Sequence, residues 1–255
     1  MAKDIAKKTE AKLPALNLEL MEADAHSGLE NITQEDLATP RLKILQPLSP
    51  ELQDIEDARP GMIYNSVTET LYKGSDGVKV IPCAYQRDYV EWVDRGKPST
   101  GKPVNLYTSS SDILTKTTRD ENNKDRLENG NYIETCANHY VLLVNGEATP
   151  AVITFKSTQF KKSKKWNSMM LNLRLQGKNG PFIPPSYSHY YRLKTVKEGN
   201  DKGNWFGWEI SREEPLENVG HYKQAKQFAE SVNKGEVKVK HITSGSFNSL
   251  IFLII

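Results

Sequence analysis

The sequence predicts a mainly β protein with minor α content: a barrel-like arrangement of five strands, one helix between the third and fourth strands, and a second helix near the C-terminal end. Three observations predict it. β-Branched and aromatic residues near-alternate with polar ones over residues 78–93, 135–144, 148–156, 187–197 and 205–211. Asn145-Gly146 and the polar run from Gly199 to Asn204 put turn residues between consecutive runs. Apolar residues recur at helical spacing after Ser157 and again after Pro215.

The elements follow in order. Residues 1–30 mix Lys, Glu and Ala with little periodicity and read as a mobile N-terminal arm. A domain over residues 31–240 opens with a helical turn at Asn31–Leu37, capped by Thr33 with Asp36 three positions on. The apolar segment Leu42–Leu45 is ended by Pro47 and Pro50, and the acidic run Glu51–Asp57 reads as surface loop. Lys73–Gly77 is a turn leading into Val78–Pro82 and Tyr85–Val93, together one long, bent strand. Residues 94–131 are almost wholly polar, too long for an ordinary connection, and predict an insertion. Thr135–Val144 and Ala148–Lys156 make a hairpin. The first long helix is expected from a Ser157 or Thr158 cap to Gly177, with Phe160, Met170, Leu171 and Leu173, and Trp166 or Asn167 between them, at helical spacing on its apolar face. A turn at Gly180–Pro185, strands Tyr187–Lys197 and Trp205–Ser211, and a helix from Pro215 to Asn233 complete the domain, and residues 241–255 are a tail. Strand, strand, strand, helix, strand, strand is the connectivity of an OB-fold barrel.

At 255 residues the chain is long enough to bury a sizeable core. Its 37% hydrophobic and 26% charged residues exclude collagen, coiled coil and membrane-span readings, and a mean hydropathy of −0.61 predicts much polar loop. Two cysteines make no disulfide framework, and the N-terminal residues offer no apolar run for a secretory signal, so the expected location is the cytoplasm. The longest apolar run, Leu250–Ile255, is far shorter than the ~20 residues that span a bilayer.

Net charge is only +2, yet its distribution is lopsided. From Ala148 to Lys197 no residue is acidic and ten are basic; the rest of the chain holds 24 basic against 32 acidic residues, net −8. The same stretch gathers Phe155, Phe160, Trp166, Phe182, Tyr187, Tyr190 and Tyr191, and Trp205, Phe206 and Trp208 follow it. Single-stranded nucleic acid requires this mixture, because cations neutralise phosphates while unpaired bases stack on rings for roughly 1–3 kcal/mol each. Strand alternation directs about half of these rings inward as core.

Other motifs carry less. Gly96-Lys-Pro-Ser-Thr-Gly101-Lys102 has the spacing of a phosphate-binding loop, but Pro103 stands where Ser or Thr would ligate magnesium, and no good helix follows. Cys136 and His139 lack the second close pair of a structural zinc site and read as strand residues. No nucleophile elbow or HExxH occurs.

The run Lys156-Ser-Thr-Gln-Phe-Lys-Lys-Ser-Lys-Lys-Trp-Asn167, then Pro184-Pro-Ser-Tyr187, then Asn200-Asp-Lys-Gly-Asn-Trp-Phe-Gly-Trp208-Glu, together with Asp36–Gln46, Ser49-Pro50 and Pro60-Gly61, resembles the single-stranded DNA-binding proteins of tailed bacteriophages over about residues 31–240. The resemblance implies an OB-fold that coats displaced single strands in phage replication and recombination, without catalytic residues, and that meets phage replication proteins. Proteins of that class commonly end in an acidic tail. This chain has no carboxylate side chain after Glu236, so a truncated or altered tail is expected.

The expectation is therefore a non-enzymatic protein that holds single-stranded DNA through Lys156, Lys161, Lys162, Lys164, Lys165, Trp166, Arg174, Tyr187, Tyr190, Tyr191, Arg192, Lys194, Trp205 and Trp208, with no metal and no cofactor. Alternatives are a strand-annealing recombination protein, a metal-dependent nucleic-acid enzyme, and a structural phage protein whose basic surface meets packaged duplex.

Overall fold

A computed structural model describes residues 15–32, 36, 38–94, 97–98, 101–201 and 203–237. The chain divides into two units, residues 1–37 and 38–255. In the first, α1 (Ala15–Ala23) is a helix that the sequence pattern did not single out. The turn expected around Thr33 and the tail at 241–255 lie outside the described residues.

The second unit is mainly β. In chain order it contains β1 (Leu42–Ile44), α2 (Glu51–Asp54), β2 (Ile63–Asn65), β3 (Leu71–Tyr72), β4 (Val78–Trp92), β5 (Asn105–Thr108), β6 (Thr118–Arg119) and β7 (Asp125–Arg126). It continues with β8 (Tyr132–Asn145), β9 (Glu147–Lys156), α3 (Phe160–Leu171), β10 (Leu175–Gly177), β11 (Gly180–Phe182), β12 (His189–Asn200), β13 (Gly203–Pro215) and α4 (Val219–Asn233).

The spine of the fold is β4. Along one edge it pairs with β8 from Lys79↔Val144 to Trp92↔Tyr132; along the other, its start pairs with β12 and its end with β5, all antiparallel. Pro82 has no N–H to give, and the register with β8 shifts between Pro82 and Ala84. That bulge bends the strand so that its two halves serve different neighbours. β8 and β9 form the expected hairpin, with Gly146 at φ +84 at its tip, and β12 pairs with β13.

The sheet curls into a half-barrel. Among the described residues β9 and β13 do not pair, so the five expected strands do not close on themselves. The small sheet β1–β2–β3 stands in the opening instead. It meets β9 through the parallel bridge Arg41↔Val152 and the bond from Val152 N–H to the Pro40 carbonyl (2.8 Å). It meets β13 through Gln46, whose Nε2 donates to the Phe206 carbonyl (2.8 Å) while its Oε1 accepts from Phe206 N–H (2.9 Å). A side-chain amide thus occupies the backbone groups that a neighbouring strand would take. Close approach is needed here: a Cβ on Gly74 would lie 1.9 Å from Thr195 Oγ1 and 2.1 Å from the Gly61 carbonyl oxygen.

Two apolar layers result. Inside the curl, Val80, Val141, Ile153, Phe155, Leu193, Tyr191 and Trp208 pack with Leu42, Ile44 and Ile63, and Trp166 of α3 closes one end. On the outside, α4 presents Ala225, Phe228, Ala229 and Val232, one face at helical spacing, to Ile81, Cys83, Tyr140 and Leu142. Asn218 caps α4 by accepting from His221 N–H (3.0 Å).

Residues 94–131, polar in sequence, are a built lobe where described. Tyr89, Ile113 and Ile133 form its small core, and the buried carboxylate of Glu91 accepts from Asn105 Nδ2 (2.8 Å), the Tyr107 hydroxyl (2.7 Å) and Asn131 Nδ2 (2.6 Å).

α3 departs from the expected helix at both ends. It stops at Leu171, and Leu175–Phe182 instead forms the β10–β11 hairpin around Lys178-Asn179, so Leu173 is not helical and Leu171 is exposed. Neither Ser157 nor Thr158 caps it; both lie in a 3₁₀ turn, and Gln159 stands at the cap position without capping. No described helix is long and apolar enough to cross a membrane.

Candidate functional site

The chain leaves β9 through Ser157, whose φ of +50 is uncommon for a residue with a Cβ. That turn sets the start of α3 against the β12–β13 hairpin. Between them lies a cleft of ≈ 680 Å³, lined by Ser157, Thr158, Phe160, Lys161 and Lys164 on one side and Glu198, Gly199, Asn200 and Trp205 on the other. Clefts of roughly 300–1,000 Å³ are the usual size of ligand sites. The Lys164 ammonium lies 5.3 Å from the centre of the Phe160 ring, and Trp205 is partly exposed.

Glu198 organises the floor. It accepts from Lys162 Nζ (2.8 Å), Gln159 Nε2 (2.7 Å) and Trp205 Nε1 (2.9 Å). Burial alone would raise its pKa, but the bonds from Lys162, Gln159 and Trp205 and the Lys162 charge outweigh it and hold the carboxyl below its ordinary value. The Oε1 of Gln159 accepts from Trp208 N–H (2.9 Å), so one side chain ties α3 to β13. The indole of Trp205 is fixed by its N–H, and the exposed Lys161 and Lys164 of α3 line the same cleft.

The expected DNA contacts separate into three groups. Trp166, Tyr191 and Trp208 are core, 0%, 1% and 3% exposed, and are corrected out of the surface: at those positions the rings fill the curl. A second group is engaged with neighbours. Lys156 pairs with Glu134 (3.1 Å), Lys162 with Glu198, and Arg192 with both oxygens of Glu213 (2.8 and 3.3 Å). Tyr190 is buried, its hydroxyl 3.0 Å from His221 Nδ1 and its ring under the Lys79 ammonium at 4.2 Å; Tyr187 packs edge-on against Tyr222 (5.2 Å). Arg174 donates to the carbonyls of Leu171 and Leu173 (2.7 and 2.9 Å). A third group faces solvent: Lys161, Lys164, Lys165 and Lys194 are exposed and Trp205 half-buried, but only Lys161, Lys164 and Trp205 of these line the cleft.

The acid-free segment is thus not acid-free in space, because Glu134, Glu198 and Glu213 fold onto it from outside its ends. Sequence reading missed Glu198, Gln159 and Asn200; the acidic residue just past the basic run was a signal, whereas Gln159 gave none. Cys136 and His139 are both buried in β8, and His139 Nε2 lies 2.8 Å from Ser163 Oγ. Part of the Gly96–Lys102 loop lies outside the described residues.

Fold and site define a mainly β protein whose curled sheet carries a cleft lined by cations and rings. The family model described as Pam3 phage gp34-like protein matches residues 7–238, so the chain belongs to that family and is a phage protein. No curated protein and no solved structure matches it.

Proposed function

We propose that this phage protein binds single-stranded DNA, coating displaced strands in replication or recombination without catalysing a reaction, on an OB-like framework. One observation carries the reading: Lys161, Lys164, the Phe160 ring and the Trp205 ring share a single cleft. Phosphates meet the amines while a base stacks on an indole already held by Glu198, so little ordering is needed at binding. Duplex DNA hides its base faces and gains only the electrostatic part. The strand order β4, β8, β9, α3, β12, β13 supports the OB-like framework, with β1–β3 in the place of closure. The test is a titration with oligo-dT and with a duplex of equal length, followed by tryptophan emission. Tighter binding to oligo-dT with quenching supports the reading; equal or tighter binding to duplex, or none to either, refutes it.

A further inference from the structure

Beyond the far end of α3 the chain forms the β10–β11 hairpin, which pairs with no other strand among the described residues. Two strands alone are only marginally stable in water, so the hairpin depends on its root. Met169 and Met170 in the last turn of α3 pack against the inner core, and the Arg174 guanidinium donates back to the Leu171 and Leu173 carbonyls. Leu175 and Phe182 stand directly opposite each other in the register and so share one face, yet they are 37% and 46% exposed. The Phe182 ring rests on Gly177, where an added Cβ would lie 3.1 Å from its Cδ1 and 3.2 Å from its Cε1. Bare backbone thus seats a ring that is still open to solvent. Lys178, one residue past Gly177, is exposed in the turn. Between the α3 cleft and this hairpin, Lys161, Lys164, Lys165, Ser168 and Asn172 are exposed and recur at helical spacing, so they form one solvent face of α3. None of Lys161, Lys164, Lys165 and Lys178 forms an ion pair among the described residues.

We infer that the β10–β11 hairpin is a second contact for the same single strand: a base stacks on Phe182 and a phosphate meets Lys178, and the lysine face of α3 joins this contact to the cleft. The inference rests on the single-strand reading of the α3 cleft. Charge argues for a polyanion as the occupant, because Lys and Arg are the only charged side chains from Phe160 to Phe182. A ring open to solvent among such cations suits an unpaired base on a phosphate backbone. The 12 residues of α3 span about 18 Å, roughly twice the Debye length at physiological salt. The hairpin therefore acts on a strand by touching it and not through a distant field. A strand long enough for both contacts gains affinity that a short one lacks, since the second contact is made within an already bound chain.

The experiment titrates the full chain with oligo-dT of 4 and of 16 nucleotides, roughly the ends of the usual range of site sizes, for wild type, Phe182→Leu and Lys178→Gln. Phe182→Leu keeps an apolar partner for Leu175 and loses the ring, and Lys178→Gln alters only an exposed turn residue. Wild type should bind the 16-mer much more tightly than the 4-mer. Phe182→Leu should weaken the 16-mer by roughly tenfold, the effect of losing one stacked base. Lys178→Gln should make its salt slope shallower by about 0.7, the value for one phosphate of a single strand. Both variants should leave the 4-mer within about twofold, because the hairpin is screened from the cleft. Equal losses at both lengths, or no loss in either folded variant, overturn the hairpin contact while the α3 cleft stands. Unchanged DNA binding with weaker self-association of Phe182→Leu in sedimentation gives this face to a second copy and overturns the contact as well. Absence of binding by wild type at either length overturns both readings.

Discussion

The indole of Trp166 lies parallel to the imidazole of His139, with centroids 4.4 Å apart and planes within 9°. Both rings are buried, and burial pushes the His139 pKa down to about 3 from 6.5. The ring is therefore neutral when folded, while the unfolded chain takes up a proton below pH 6.5. His139 costs nothing above that value, and stability falls as pH drops from 6.5 toward 3, by up to about 1.4 kcal/mol per pH unit. Denaturant unfolding at pH 7, 6 and 5 should show this loss. His139→Phe should be less stable at pH 7 but flatter over that range; an equally steep variant would assign the slope to other groups.

Trp205 should report binding alone. Trp92, Trp166 and Trp208 are buried and Trp205 is the partly exposed one of the four tryptophans, so Trp205→Phe should abolish most oligo-dT quenching. Affinity should fall by roughly 1–3 kcal/mol in Trp205→Ala, the worth of one stacked base, and by less in Trp205→Phe, which keeps a ring. Persistent quenching would place the bases elsewhere.

Reversing Lys161, Lys164 and Lys165 to Glu should flatten the salt dependence of oligo-dT binding by about 2 in the slope of log K against log salt, at about 0.7 for each phosphate that is no longer neutralised. All three are exposed, so the melting temperature should barely move. Lys156, Lys162 and Arg192, engaged with carboxylates, should contribute less to that slope, which titrations of their Gln variants will measure.

Glu91 secures the 94–131 lobe. Its replacement by Ala leaves Asn105, Tyr107 and Asn131 without their shared acceptor, and should cost about 2–3 kcal/mol. Hydrogen exchange should rise across residues 105–131 and leave β8–β9 protected. Burial pushes the Glu91 pKa up, but bonds from Asn105, Asn131, Tyr107 and Asn129 prevail and hold it below the ordinary value. Its stabilising share is present above pH 4.5 and fades as pH falls through its lowered folded pKa.

Much of the architecture was legible because it depends on local signals. Asn145-Gly146 fixes the β8–β9 hairpin, Pro82 marks the bend in β4, and Gly235 follows the end of α4. α3 was harder: its helical phase buries Trp166 and Ser163, not Leu171, because the helix must plug the curl. Its early stop depends on the hairpin around Lys178-Asn179, whose pairing competes with further helix. The site was legible as a charge pattern and illegible as a shape. Which lysines remain exposed is decided by Glu134, Glu198 and Glu213, brought in by strand register, and the part played by Gln159 exists only once α3 and β13 are adjacent.

The amide of Gln46 has one more consequence. At high protein concentration an open sheet margin recruits the margin of the next molecule. At Phe206 both backbone groups are already taken by Gln46, and at Trp208 the N–H is taken by Gln159. At these two positions a second copy is thereby denied the backbone groups through which sheet margins join edge to edge.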